Sequence, residues 1–125
     1  MNRRPRPVSL NLLEFRFPAT AITSLLHRIS GTLLFLALPL LIYGLELSLQ
    51  GEEGFSQLRH LWQWLPMRLA VALVAWALLH HWLAGWRFLF IDVDIGVDIV
   101  RARLTARLLN ALSLTGLVIF VGLSL

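Results

Sequence analysis

Three long apolar segments, separated by polar connections, constrain this chain more than any other feature. They run from about residue 21 to 49, from 67 to 91 and from 108 to 125. A helix of about 20 apolar residues is long enough to span the hydrocarbon core of a bilayer. The sequence therefore predicts an all-α integral membrane protein with three transmembrane helices. Residues 1–20 would form a polar cytoplasmic arm, and residues 21–125 the transmembrane domain.

The composition of the chain favours the same interpretation. Of the 125 residues, 58% are hydrophobic, which leaves too little polar surface for a water-soluble domain of this length. The chain has no cysteine, which excludes a disulfide, a thiolate metal site and a cysteine nucleophile. Its net charge is +4, but the arginines lie at the ends of the apolar segments rather than in one patch. We therefore expect membrane lipid around the chain and no nucleic-acid partner.

The distribution of arginine predicts an orientation in the membrane. Cytoplasmic connections of membrane proteins carry an excess of Lys and Arg. Five arginines lie in the arm and at the start of the first segment, four surround the second connection, and two flank the first connection. In that order they are Arg3, Arg4, Arg6, Arg16 and Arg28; Arg87, Arg101, Arg103 and Arg107; and Arg59 and Arg68. We therefore expect a cytoplasmic N-terminus and a C-terminus on the opposite side, with Trp62 and Trp64 at the membrane interface.

Ser24, His27 and Arg28 form a first polar cluster at the start of an apolar segment. Ionisable groups inside a membrane span are costly and usually functional. Positions i, i+3 and i+4 share one helical face, so a hydroxyl, an imidazole and a guanidinium would lie together. Such a set could hold a carboxylate, a phosphate headgroup or a carbonyl that becomes an anion. The alternative is that Arg28 extends to lipid phosphate while His27 lies at the interface.

His80 and His81 form a second cluster, deeper in the middle segment. Adjacent residues point about 100° apart around a helix, so one helical face cannot use both. A neutral imidazole is a common metal ligand and an axial ligand of haem. Gly85 follows His81 by one turn on the same face, where it would let a flat macrocycle lie close to the backbone. The alternative is a histidine that forms a hydrogen bond with a neighbouring helix.

Other kinds of chemistry find no support in the sequence. It contains no nucleophilic triad, no hydrolytic metal motif, no glycine-rich phosphate loop, and no flavin or iron–sulfur signature. Any chemistry must therefore be electron or proton transfer with a bound cofactor. A haem-free structural membrane subunit or a small transporter component is the alternative.

Two blocks of sequence resemble a known family. Residues 6–10 (RPVSL), 16–22 (RFPATAI) and 24–31 (SLLHRISG) are similar to the N-terminal signature of the cytochrome b556 subunits of bacterial succinate dehydrogenases. Residues 81–92 (HWLAGWRFLFID) resemble the second signature of that family, H-x-x-x-G-x-R-x-x-x-x-D. The two blocks lie on the first and second of three spans, as they do in the family.

The resemblance implies a function and a set of partners. The chain would be one of two small subunits that anchor a flavoprotein subunit and an iron–sulfur subunit to the cytoplasmic face of the bacterial inner membrane. It would share a helical bundle with the second membrane-anchor subunit. The complex would pass electrons from succinate oxidation to ubiquinone. The closest alternative is the anchor of a quinol:fumarate reductase, which runs in the opposite direction with a similar fold and site.

The resemblance also implies roles for individual residues. One haem b would lie between the two anchors, with His81 rather than His80 as the axial ligand from this chain and Gly85 packed against the haem. Ser24 and Arg28 match residues that contact the quinone, and His27 and Arg28 match residues near the haem propionates. Many members of the family have a second histidine after the arginine of the second signature, where this chain has Phe88. Any propionate contact from that position is therefore not expected here.

Overall fold

The computed structural model describes residues 17–124, which form four helices and no strand. The helices are α1 (Ala19–Leu49), α2 (Glu52–Trp62), α3 (Leu65–Asp92) and α4 (Ile99–Ser124). Helices α1, α3 and α4 are long and apolar enough to cross a membrane, which confirms the three predicted spans. Most of the predicted N-terminal arm, residues 1–16, lies outside the described residues, and α1 begins two residues before the predicted start of the transmembrane domain.

Proline and glycine lie at several of the helix ends. Pro18 is extended, with φ −66° and ψ 151°, and its carbonyl accepts the first hydrogen bonds of α1 from the N–H groups of Ala21 and Ile22. Gly51 has φ +95°, a backbone conformation that residues with a side chain rarely adopt, and it separates α1 from α2. Pro66 lies at the second position of α3, where its missing N–H costs no helical hydrogen bond.

The third membrane helix begins earlier than the apolar pattern indicates. The apolar segment starts at residue 108, whereas α4 begins at Ile99. The Asp98 carboxylate accepts a hydrogen bond of 2.9 Å from the backbone N–H of Arg101 and so caps the helix. The first two turns of α4 are therefore helical although they contain Arg101 and Arg103 and precede the apolar segment.

Helix α2 was not predicted. The apolar pattern predicts only a connection over residues 50–66, because no long apolar run is present there. Glu52 and Glu53 in the first turn and Arg59 and His60 in the last turn complement the helix dipole, which favours a short helix. Gly54 packs against the carbonyl of Leu47, so α2 folds back against the end of α1.

The three membrane helices form a bundle in which each contacts the other two, and α3 runs antiparallel to both α1 and α4. The start of α1 lies beside the start of α4, since the Thr23 hydroxyl is 3.0 Å from the Asn110 side-chain oxygen. At the opposite end, the Arg68 guanidinium donates to the carbonyls of Trp62, at 2.7 Å, and of Ser124, at 3.1 Å. Arg68 thereby joins the C-terminal ends of α2 and α4 to the start of α3.

Small residues form most of the buried surface between the membrane helices. The buried residues of α1, α3 and α4 include Ala37, Ala72, Ala77, Ala84, Ala106, Thr23, Ser30 and Ser113. Small side chains let helix backbones approach closely, which is typical of association within a bilayer. The large apolar side chains instead point outward, where lipid or other membrane helices can cover them.

Candidate functional site

The rings of His27 and His81 stack on each other between α1 and α3. Their centroids are 4.2 Å apart and the two ring planes differ by 10°. The side chain of Phe88 lies beside the His27 ring, at 5.1 Å between centroids. The structure therefore brings together two histidines that belong to separate clusters in the sequence.

The His81 ring lies directly over the α1 backbone at Gly31. A Cβ atom added to Gly31 would be 2.9 Å from Cε1 and 3.2 Å from Nδ1 of His81. Real Cβ atoms essentially never approach a neighbour below 3.0 Å, so a side chain at position 31 would push the ring away. Gly31 is thus required for the close approach of His81 to α1.

Hydrogen bonds on one side of the His81 ring determine which nitrogen is free. Its Nδ1 lies 3.2 Å from the carbonyl oxygen of His27 and 3.3 Å from the hydroxyl of Ser30. The Ser30 hydroxyl also donates to the His27 carbonyl, at 2.9 Å. A carbonyl can only accept, so Nδ1 carries a hydrogen, and in the neutral form of the ring Nε2 then has the lone pair. Metal-binding histidines are commonly held in this way, with the second ring nitrogen donating to a backbone carbonyl.

His80 points to a different helix, as the spacing of adjacent residues predicts. Its side chain is completely buried, and its Nδ1 lies 3.0 Å from the Ser113 hydroxyl on α4. That hydroxyl donates to the Asn110 carbonyl at 3.1 Å, so it accepts the hydrogen of His80 Nδ1. His80 therefore joins α3 to α4, which is the alternative that the sequence left open for one of the two histidines.

Gly85 contributes to a shallow groove beside His81. The groove has a volume of about 320 Å³ and is lined by His81, Trp82, Gly85, Trp86 and Leu89. A Cβ atom on Gly85 would reach ordinary contact with Nε2 of His27, at 3.9 Å. Gly85 thus borders both the His27 ring and the groove. The groove is open on its other side, where a second wall would have to come from another chain.

Ser24 and Arg28 lie on α1 next to the histidine pair, in the first three turns of the helix. Ser24 is half-buried and Arg28 is exposed. Among residues 17–124, neither side chain has a hydrogen-bond or ion-pair partner within the chain. Their donors are therefore available to a group that approaches this end of the bundle from outside.

Comparison with known proteins identifies the family. The sequence model of a family described as succinate dehydrogenase/fumarate reductase transmembrane subunit matches residues 2–121. The chain belongs to this family. It is a membrane-anchor subunit of the succinate dehydrogenase/fumarate reductase type, in agreement with the resemblance found in the sequence.

Individual members of the family are similar over most of their length. The succinate dehydrogenase cytochrome b556 subunit of Coxiella burnetii is 37% identical over 119 residues, which cover 91% of this chain and 92% of that protein. The subunit of the same name from Paracoccus denitrificans is 34% identical over 112 residues, or 89% of this chain and 85% of that protein. The corresponding subunit of Rickettsia felis is 28% identical over 100 residues.

Three further residues of the two signatures, Ser30, Gly31 and Arg87, position the histidine pair or the helices around it. Ser30 and Gly31 lie in the first signature, but a serine and a glycine in an apolar helix are also typical of ordinary helix packing. Arg87 of the second signature donates to the Thr105 hydroxyl at 3.2 Å and to the Ala102 carbonyl at 3.1 Å. It therefore fastens the end of α3 to the start of α4.

Among residues 17–124, no three His, Asp or Glu side chains lie close enough to hold a metal ion. The single imidazole of His81, held by the His27 carbonyl, fits an iron within a macrocycle, because the macrocycle itself would supply the other in-plane ligands.

Proposed function

We propose that this anchor subunit binds one haem b together with a second membrane-anchor subunit and forms part of the site where ubiquinone is reduced. The observation that carries the haem assignment is the hydrogen bond from His81 Nδ1 to the His27 carbonyl, at 3.2 Å. It leaves the Nε2 lone pair of His81 free for iron and holds the ring against rotation.

The open groove beside His81 supports a haem shared between two chains. Gly85 leaves room there for a flat macrocycle, and the partner subunit would supply the second wall and the second axial ligand. His27 and Arg28 would lie near the propionates, whose negative charge needs cations or hydrogen-bond donors when partly buried. The bound haem would supply one-electron redox chemistry.

Ser24 and Arg28 would form this chain's part of the quinone site. A quinone carbonyl gains negative charge on reduction, and a guanidinium that is always protonated stabilises that charge. The Ser24 hydroxyl would donate a hydrogen bond that strengthens as the charge develops. Within residues 17–124 the donors of both side chains have no partner, and they lie at one end of the bundle, which supports this assignment.

In the inner membrane of a bacterium, this end of the bundle would face the cytoplasm. Five arginines of the described chain lie at this end, namely Arg28, Arg87, Arg101, Arg103 and Arg107, whereas Arg59 and Arg68 lie at the other. The positive-inside bias then places the C-terminus in the periplasm. The flavoprotein and iron–sulfur subunits would dock on the arginine-rich end and pass electrons from succinate to the quinone beside Arg28.

A functional assay of the intact complex tests this proposal. Membranes are solubilised, the complex is captured through a tag on this chain, and succinate oxidation is measured with ubiquinone and with an artificial dye. We expect both activities. Dye reduction without ubiquinone reduction would contradict the quinone site, and faster fumarate reduction with a low-potential quinol would favour the fumarate reductase alternative.

Gly31→Val is expected to reduce haem binding although it leaves His81 in place. The new side chain must displace the His81 ring, whose Cε1 would lie 2.9 Å from the added Cβ. Overpacking of this kind typically costs about 1–3 kcal/mol, which would correspond to a loss of haem affinity of roughly 5- to 150-fold. Haem per complex is measured as its pyridine adduct.

Gly44→Val is the matched control for this substitution. Gly44 is on the same helix, and a Cβ atom there would have no neighbour within 4 Å. This variant should keep the haem content of the unaltered complex. Normal haem content in Gly31→Val would contradict the placement of the haem ligand over Gly31.

A further inference from the structure

The short helix α2 has one apolar side that the bundle leaves uncovered. Phe55, Leu58 and Trp62 follow one another at i, i+3 and i+7 and therefore share one face. Phe55 is 53% exposed and Trp62 is 38% exposed. With the Arg59 side chain they line a shallow surface groove of about 320 Å³. The opposite face carries polar residues, namely Glu53, Ser56, Gln57 and His60.

The connections of α2 confine it to one end of the bundle. Two residues separate it from the end of α1, and two separate it from the start of α3. Gly54 contacts the Leu47 carbonyl on one side, and Arg68 holds the Trp62 carbonyl at 2.7 Å on the other. The helix therefore cannot project far into water, and it lies at the level where two membrane spans leave the hydrocarbon region.

Arg59 lies at the border between the two faces of α2. Its guanidinium carbon is 5.5 Å from the centroid of the Phe55 ring, above the apolar side chain. A cation that lies over an aromatic ring at the edge of an apolar face is well placed to meet a lipid phosphate while the ring enters the acyl region. Trp62 and the neighbouring Trp64 are of the residue type that is enriched at membrane interfaces.

We infer that α2 lies in the plane of the membrane interface, at the end of the bundle opposite to the histidine pair, with Phe55, Leu58 and Trp62 inserted among lipid chains. Lipid fits this face better than a second protein does. One half-buried leucine and two exposed aromatic side chains offer a few hundred Å² at most, since an aromatic residue buries about 150–250 Å². A stable protein interface needs about 800 Å² from each partner.

Cysteine labelling of the assembled complex tests this placement. The chain contains no cysteine, so a fluorescent label in its electrophoretic band reports only an introduced residue. Four single variants are compared in membrane vesicles opened to both sides: Phe55→Cys and Leu58→Cys on the apolar face, and Ser56→Cys and His60→Cys on the polar face. The probe is a charged maleimide that does not dissolve in lipid.

We expect Ser56→Cys and His60→Cys to react at least about tenfold faster than Phe55→Cys and Leu58→Cys, because the maleimide and the thiolate both require water. Gly44→Cys lies in the membrane-spanning part of α1, where an added Cβ atom would have no neighbour within 4 Å, and it serves as the unreactive reference. Equal rates at all four positions of α2 would mean that the helix lies in water and would overturn the inference.

A second measurement separates lipid from a protein partner. The unaltered complex is photolabelled with an uncharged diazirine dissolved in the bilayer, and the peptide that contains residues 55–62 is analysed by mass spectrometry. Label on Phe55, Leu58 or Trp62 supports contact with lipid. If cysteines at positions 55 and 58 are protected from maleimide but the peptide carries no diazirine label, another subunit covers this face, and the inference is wrong.

Discussion

His81→Ala is expected to remove the haem from the complex. Mutation of residues that only orient a metal ligand commonly lowers metal affinity about 10- to 100-fold, so loss of the ligand itself should have at least this effect. The measurement is haem per complex, with the reduced-minus-oxidised visible spectrum recorded on the same sample. Dye-linked succinate oxidation, measured in material captured through a tag on this chain, serves as the control for assembly of the complex.

His80→Gln is the matched control, because it changes the neighbouring histidine. His80 is buried and bonded to Ser113 on α4, away from the open groove. Glutamine can keep a hydrogen bond to that hydroxyl, so we expect the haem band to remain. If His80→Gln loses the band while His81→Ala keeps it, the assignment of the axial ligand is wrong.

Arg28→Leu is expected to slow ubiquinone reduction and to leave dye reduction unchanged. The substitution removes a charge-assisted hydrogen bond of about 1.5–3 kcal/mol from the carbonyl that becomes negative. At about 1.4 kcal/mol for each factor of ten, the rate should fall roughly 10- to 100-fold. Ser24→Ala removes a neutral donor and should have a smaller effect, about two- to tenfold. Both rates are measured on the purified complex.

Arg107→Leu controls for the general loss of positive charge at this end of the bundle. Arg107 is exposed on α4, and the substitution changes the net charge by the same amount as Arg28→Leu. In complex that retains its dye-reducing activity, Arg107→Leu should leave ubiquinone reduction near its normal rate, and Arg28→Lys should recover part of the activity that Arg28→Leu loses. Equal losses in Arg28→Leu and Arg107→Leu would contradict a specific contact with the quinone.

The sequence was sufficient to predict the parts of the fold that depend on apolar length. A run of about 20 apolar residues has few alternatives to a membrane helix, so the three spans were correctly predicted. The separate directions of His80 and His81 follow from helix geometry alone, and in the structure these two residues of α3 contact α4 and α1 respectively.

The features that the sequence did not reveal depend on contacts between helices. The roles of Ser30 and Gly31 appear only when α3 brings His81 over them, at distances that no pattern within α1 encodes. Apolar length identifies membrane spans but does not identify α2, because the 11 residues of α2 are amphipathic rather than apolar. The early start of α4 depends on one capping carboxylate, that of Asp98.

The most direct test of the proposed function is the visible spectrum of the unaltered complex, purified through a tag on this chain. The spectrum is recorded after oxidation and again after reduction, and the haem is counted against the protein. The arrangement of His81 predicts a b-type band and one haem for each copy of the chain. A fully assembled complex that reduces ubiquinone but shows no such band would contradict it, and would leave this subunit as a haem-free anchor.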